Sequence, residues 1–259
     1  MLAVGLILMA LAGPWLAPYD PESMHFASRF APPSWEFLLG TDSFGRDLLS
    51  RVLVGARSTI LLALLATIIG STVGALIGLI SAYFGGRIDE IIMRIVDAVM
   101  AIPGLLFALL IISALGSSAI NAVIAIGITF APGMARVSRS ITLTVREQDY
   151  VAAAVARGEG AAWIILREIA PNILAPVIVE STIRVAFAIM LLATLSFLGM
   201  GAQPPSPEWG LMISDARAHL YRSPWPVIAP GVAIATVAVA FNLLGDGLRD
   251  VLNPRVQGG

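Results

Sequence analysis

Residues 150–172 read YVAAAVARGEGAAWIILREIAPN, a polar-flanked insert between long apolar stretches. Val151 to Arg157 is Ala-rich and strongly helix-forming, and Gly158 takes the backbone angles that end such a helix. Trp163, Ile164, Ile165, Leu166 and Ile169 give a second helix an apolar face, and Pro171 limits it. The pattern predicts a helix-turn-helix standing out of a membrane. A chain that only had to sit in a bilayer would not need it, so the loop is expected to dock onto something in the aqueous phase. The alternative is an amphipathic helix lying on lipid headgroups.

The rest of the chain supplies the membrane. It is 58% hydrophobic and 13% charged, with a mean hydropathy of +0.87, far above what a soluble core of this length requires. The net charge of -1 gives no reason to expect nucleic acid, and with no Lys all 16 cations are Arg, the less hydrated ion suited to paired or interfacial positions. A P-loop needs a Lys to reach its phosphates, so this chain does not bind nucleotide that way. There is no Cys, which excludes disulfides, thiol catalysis and Cys-metal sites. His25 and His219 lie far apart and outside any HExxH pattern, so no metal site is expected. GxSxG is missing, and no closely spaced acids fall within the apolar spans. These features describe a non-catalytic chain whose uphill work, if it moves a solute, comes from a partner.

A membrane helix needs roughly 20 apolar residues to cross about 30 Å of hydrocarbon. That length gives six spans. The first is Met1 to about Ala17, with a signal peptide as the alternative. The second is Ser58 to Phe84, bounded by Arg57 and Arg87. Ala98 to Ala135 is uncharged and would make about 57 Å of continuous helix, so it is expected to form a hairpin of two spans with Gly116, Ser117 and Ser118 at its tip. The fifth lies within Ile173 to Met200 and the sixth runs from about Trp225 to Gly245. The chain then divides into residues 1–57 (first span and external loop), a core at 58–255 that includes a cytoplasmic loop at 136–175, and a short tail at 256–259.

With both termini cytoplasmic, the inside loops hold Arg87, Arg94, Arg136, Arg139, Arg146, Arg157, Arg167, Arg249 and Arg255. The outside loops hold Arg29, Arg46, Arg51, Arg57, Arg217 and Arg222. The bias favours that orientation and makes the insert cytoplasmic. In the second span Gly70, Gly74 and Gly78 lie along one helix face, a signal for close helix packing. Glu180 and Arg184 have the spacing and order of a favourable helical ion pair, read either as pathway lining or gate, or as a structural pair. Asp42, Arg46, Asp47 and Arg51 are expected to pair along an amphipathic outer segment. The spans carry few polar side chains, which suggests a weakly selective passage.

Several blocks carry a resemblance. Ala152, Ala153 and Ala154, then Gly158, then Ile169, Ala170 and Pro171, are similar to the EAA loop of ABC importer permeases, with Ala152 where Glu is usual and Ala170 where Leu is usual. GTDSFGRDLLSRVLVGARST at 40–59, YFGGRIDEIIMRIVD at 83–97, LSFLGMGAQPPSPEWGLM at 195–212 and FNLLGDGLRDVLNPR at 241–255 resemble the recurrent blocks of the dipeptide, oligopeptide and nickel permeases, in their C-subunit branch. The resemblance covers most of the chain. It implies an all-α integral membrane protein of the type I ABC importer permease (MetI-like) fold, with six transmembrane helices and cytoplasmic coupling helices, in the bacterial inner membrane. It also implies a paralogous permease partner, two ATP-binding subunits that carry ATP and Mg, an external substrate-binding protein, and alternating access. By position, Tyr150, Val151, Ala152, Ala153, Ala154, Arg157, Gly158, Ile165, Leu166, Glu168, Ile169, Pro171 and Asn172 would couple to the ATPase. Gln203, Pro204, Pro205, Glu208, Trp209, Asp215 and Arg217 would meet the binding protein or gate the outer mouth. Trp209 is expected to anchor that loop at the interface, and a purely structural cap is the alternative. A stand-alone secondary transporter or channel would show repeated halves, which are not evident, and an intramembrane enzyme would need a convergent catalytic pair.

Overall fold

The computed structural model describes Gly5 and residues 12–252. Among them the regular structure is helical, with one isolated β-bridge between Thr41 and Asp47. Eight helices are numbered here: α1 Leu48–Phe84, α2 Gly86–Met100, α3 Gly104–Leu115, α4 Ala119–Arg146, α5 Asp149–Ala156, α6 Ala161–Phe197, α7 Trp209–Ala216 and α8 Trp225–Leu252. Four of them, α1, α4, α6 and α8, are long and apolar enough to cross a membrane, and α2 with α3 makes a fifth if the bent pair counts as one span. The expected first span, Met1 to Ala17, lies outside the described residues apart from Gly5 and its last turns, of which 12–16 are helical.

The boundaries shift from the expected ones for local reasons. Helix α1 begins at Leu48 rather than Ser58, because Asp47 caps it: its carboxylate accepts the Ser50 N–H at 2.8 Å and the Ser50 hydroxyl at 2.7 Å. The expected division at residue 57 therefore falls inside a continuous helix. The hairpin tip is at 116–118, as the sequence predicts, and Ser118 caps α4 by accepting the Asn121 N–H. Its first arm is not one full span, however. The chain breaks at 101–103, before Pro103 fixes the entry to α3, and α2 turns 91° away. The 12 residues of α3 cover only about 18 Å.

The bundle is built on the α1/α4 seam. A Cβ added at Gly70, Gly74 or Gly78 would lie 2.7, 2.3 or 2.2 Å from the carbonyl oxygens of Gly127, Ala131 and Ala135. These glycines let two backbones touch, as their four-residue spacing predicts, and the Ser138 hydroxyl adds a bond to the Ala75 carbonyl across the seam. Ile60, Ile112, Ile126, Ile189, Leu192, Trp209 and Phe241 fill the space among α1, α3, α4, α6, α7 and α8. One end of the bundle gathers residues 18–47 and 198–224, and the other carries 147–160.

Candidate functional site

At the insert end, α5 presents two faces. Val151 and Ala154 are buried with Ile164, Ile169, Ile173 and Leu79, backed by Tyr83, Ile141 and Val145 from α1 and α4. Ala152, Ala153, Val155, Arg157 and Gly158 point outward. Gly158 has φ +79, and the Gly158 and Glu159 N–H groups bond back to the Val155 and Ala154 carbonyls, so the glycine stop occurs where the sequence places it. Arg157 lies 3.7 Å from both Glu159 and Glu168 and covers the Trp163 ring at 5.9 Å, tying the turn to the helix that follows. Tyr150 is partly exposed, and burial together with the Glu168 carboxylate pushes its phenol up.

The second half of the insert differs from expectation. Pro171 does not end a separate helix: α6 runs from Ala161 through Pro171 to Phe197. The reason is a π-helical segment at Ile164–Ile169, in which the Ala170 N–H reaches back to the Ile165 carbonyl. That widened turn seats a ring which would otherwise collide with the preceding carbonyls. Ile164 and Ile169 face the core, Ile165 is half-buried, and Leu166 is 66% exposed. The exposed Asn172 side chain donates to the Glu168 carbonyl. The insert is thus rooted directly in a span.

At the other end the two loops interlock. Arg46 Nε meets Asp42 Oδ2 at 2.6 Å, and Arg51 donates to the carbonyls of Pro21 at 3.1 Å and Ser206 at 3.4 Å. The expected surface pairing of Asp42, Arg46, Asp47 and Arg51 is instead a buried knot, with none of the four more than 8% exposed. Glu208 and Trp209 are buried too, which removes both from a contact surface. Glu208 caps α7 by accepting the Gly210 and Leu211 N–H groups, and burial pushes its carboxyl up. Trp209 donates Nε1–H to the Val52 carbonyl at 3.0 Å and fills the core rather than anchoring in lipid. Gln203, Pro204, Pro205, Asp215 and Arg217 remain exposed.

Midway along the bundle, Arg184 Nη2 meets Glu180 Oε1 at 2.9 Å, forming the pair that the spacing predicts. Its guanidinium also lies over the Phe130 ring of α4, 5.9 Å from the centroid.

Residues 74–258 match the family of binding-protein-dependent transport system inner membrane components. The chain belongs to that family. Residues 1–33 match the N-terminal membrane domain of oligopeptide transport permease C. The chain is 42% identical to a di/tripeptide transport permease of Pseudomonas aeruginosa, over 97% of this chain and 85% of the relative. It is also 42% identical to a probable D,D-dipeptide transport permease of Escherichia coli K12, over 100% and 87%, and 41% identical to a glutathione transport permease of E. coli O6, over 98% and 84%. It is therefore a permease subunit of an ABC importer, a non-catalytic, multi-pass component of the inner membrane, with the all-α fold of its family.

Sequence reasoning missed one cluster in this permease. Arg139 of α4 pairs with Asp89 of α2, which also accepts the Ser81 hydroxyl of α1; Arg136 pairs with Asp97 at 2.6 Å, and Arg146 donates to the Ala82 carbonyl. These bonds hold the bent α2 against the seam. The signal was present in the charges of the RIDEIIMRIVD stretch, but pairing partners 39 and 50 residues away follow only from the fold.

Proposed function

We propose that this permease lines, with a paralogous permease subunit, the pathway of an ATP-driven importer for di- and oligopeptides handed over by an external binding protein. Two ATP-binding subunits, which carry the ATP and Mg, dock on the insert at 150–172. The observation that carries the docking role is the two-faced insert: Val151, Ala154, Ile164 and Ile169 root it in the span ends, while Ala152, Ala153 and Gly158 offer a low-relief surface. Because its second half is continuous with α6, a pull on the insert reaches the bundle core directly. ATP-driven closure of the docked subunits would then turn the pathway between its two openings, the bistable step of alternating access. The peptide substrate follows the relatives' names. The insert end is cytoplasmic in this reading, supported by the arginine bias, and both termini lie on that side. The exposed Gln203, Pro204, Pro205, Asp215 and Arg217 then face the binding protein.

The test uses the cysteine-free background. A single Cys at Ala153, treated with a short bifunctional crosslinker in native membranes, is expected to give an adduct whose mass spectrum contains an ATPase subunit. Labelling with lipid contacts alone would sink the docking role. Uptake of a labelled dipeptide by the intact complex checks the substrate, and import of nickel or another small nutrient in its place would replace the peptide assignment while keeping the coupling.

A further inference from the structure

The break between α2 and α3 opens onto a cavity of about 330 Å³, within the size range of small-molecule sites. Val99, Met100, Ile102 and Gly104 from the break, with Phe107, Phe130 and Pro132, make much of its wall apolar, Thr129 lines it as well, and Arg184 is the one charged lining residue among the described residues. Arg184 lies about 20 Å along α6 from Phe197, and Phe130 about 17 Å along α4 from Ala119, so the cavity is deep in the bundle. Non-helical backbone at membrane depth persists where protein covers it or where it lines a water-filled space, and an ionisable side chain there signals a role beyond packing.

The Arg184 guanidinium has donors to spare. Of its five N–H groups, Nη2 meets Glu180, and Nε is enclosed with no hydrogen-bond partner among the described residues. The Arg184 side chain as a whole lines the cavity and keeps 17% of its surface exposed, so an acceptor that enters the cavity can reach it. Gly133 makes the arrangement fit: a Cβ there would come within 3.2 Å of both Nη atoms, so the guanidinium rests against the bare backbone of α4. Glu180 balances the charge of the arginine, and a planar anion that takes its place can meet the guanidinium in the two-point geometry that this group favours.

We propose that Arg184 is a transient carboxylate subsite in the pathway, which receives the C-terminal carboxylate of a peptide in transit while Glu180 holds the arginine between passages. The proposal rests on the peptide-import reading and makes the passage selective for free acids at one point, where its sparse polarity alone suggests little selectivity.

The decisive experiment reconstitutes the complete transporter, with its ATPases and binding protein, in proteoliposomes. Uptake of a dipeptide and of its C-terminal amide is compared at saturating loaded binding protein, for wild type, Arg184→Gln and Arg184→Lys. Arg184→Gln is expected to lower free-acid uptake about tenfold and to leave amide uptake within about twofold, because only the acid loses its charge-assisted contact. Arg184→Lys, which keeps the charge but not the fork, is expected to fall between. The acid-to-amide ratio is read within each preparation, so uniform loss of active protein cancels. An unchanged ratio, with both substrates falling together or neither falling, overturns the subsite and leaves Arg184 as a structural partner of Glu180. If Arg184→Gln does not assemble, the Lys variant decides on the same ratio. A wild-type complex that imports no peptide at all overturns the functional reading, and the subsite with it.

Discussion

The loops at one end of this permease and the insert at the other are held in place by different means. The knot at the end away from the insert buries Asp42, Arg46, Asp47, Arg51, Thr41 and Glu208 and meets their polar atoms largely from within the chain. The Thr41 hydroxyl, for instance, donates to the Ser28 carbonyl and accepts the Ala31 N–H. The insert itself is rooted on a small apolar cluster, beside the Asp89–Arg139 pair and the Arg146–Ala82 bond that brace the helix ends there, and leaves Ala152, Ala153 and Leu166 in the open. Directional bonds fix the first in one geometry, since each lost partner strands a buried group. Non-directional apolar contact at the second fixes the root of the insert and leaves its outer surface for another molecule. Most of the charged residues in the knot therefore act on the chain itself, while the insert turns its most apolar residues inward and offers small residues together with Arg157, Arg167 and Leu166 outward.

The contrast has a severe test at Arg51. Arg51→Ala removes a guanidinium that is 2% exposed and strands the Pro21 and Ser206 carbonyls and part of the charge of Asp42. The expected loss is about 3–5 kcal/mol, read as a sharp fall in the thermal unfolding midpoint of the detergent-solubilised protein. A shift no larger than that of an exposed-site control would mean that the knot is not what holds the loops at that end.

A gentler probe of the same end is pH. Burial raises the Glu208 carboxyl above its ordinary 4.5 despite two backbone N–H bonds that oppose the shift. A raised folded value means that the favourable contribution is complete below the unfolded value and is lost as pH rises through the folded one. The stability of wild type relative to Glu208→Gln should therefore decline as pH climbs from below 4.5. Melting curves at stepped pH check the sign, and a difference that grows with pH would contradict it.

At the insert the expected stability change is the smallest and the functional change the largest. Ala153 is exposed, so Ala153→Trp should alter stability by no more than about 0.5 kcal/mol, yet its bulk should abolish close docking and cut ATP-driven uptake. Gly158→Pro should uncouple as well, because a ring fixed near φ -65° cannot adopt +79. Retained uptake by both variants, with normal membrane insertion, would break the contrast between the two ends.

Local chemistry made much of this molecule legible in its sequence. The Gly70/Gly74/Gly78 face, the Gly116–Ser118 tip, the Gly158 stop and the Glu180–Arg184 pair each depend on residues within a turn or two of one another, so spacing alone predicts them. The matching errors came from treating prolines and charges as local signals. Pro171 reads as a stop until a π-turn absorbs it, and Ala98–Ala135 reads as a hairpin of two spans until the break at 101–103 leaves α3 short.

The sequence by itself determined that this is a membrane-embedded helical chain with a helical insert, because apolar length, glycine spacing and the absence of Lys and Cys act without reference to any partner. Only the tertiary structure decided which charges are buried, that Glu208 and Trp209 belong to the core, and that Arg184 faces a cavity through the gap left by Gly133. Burial and unmet donors are properties of what surrounds a residue, and here the neighbours that settle them come from helices far away in the chain.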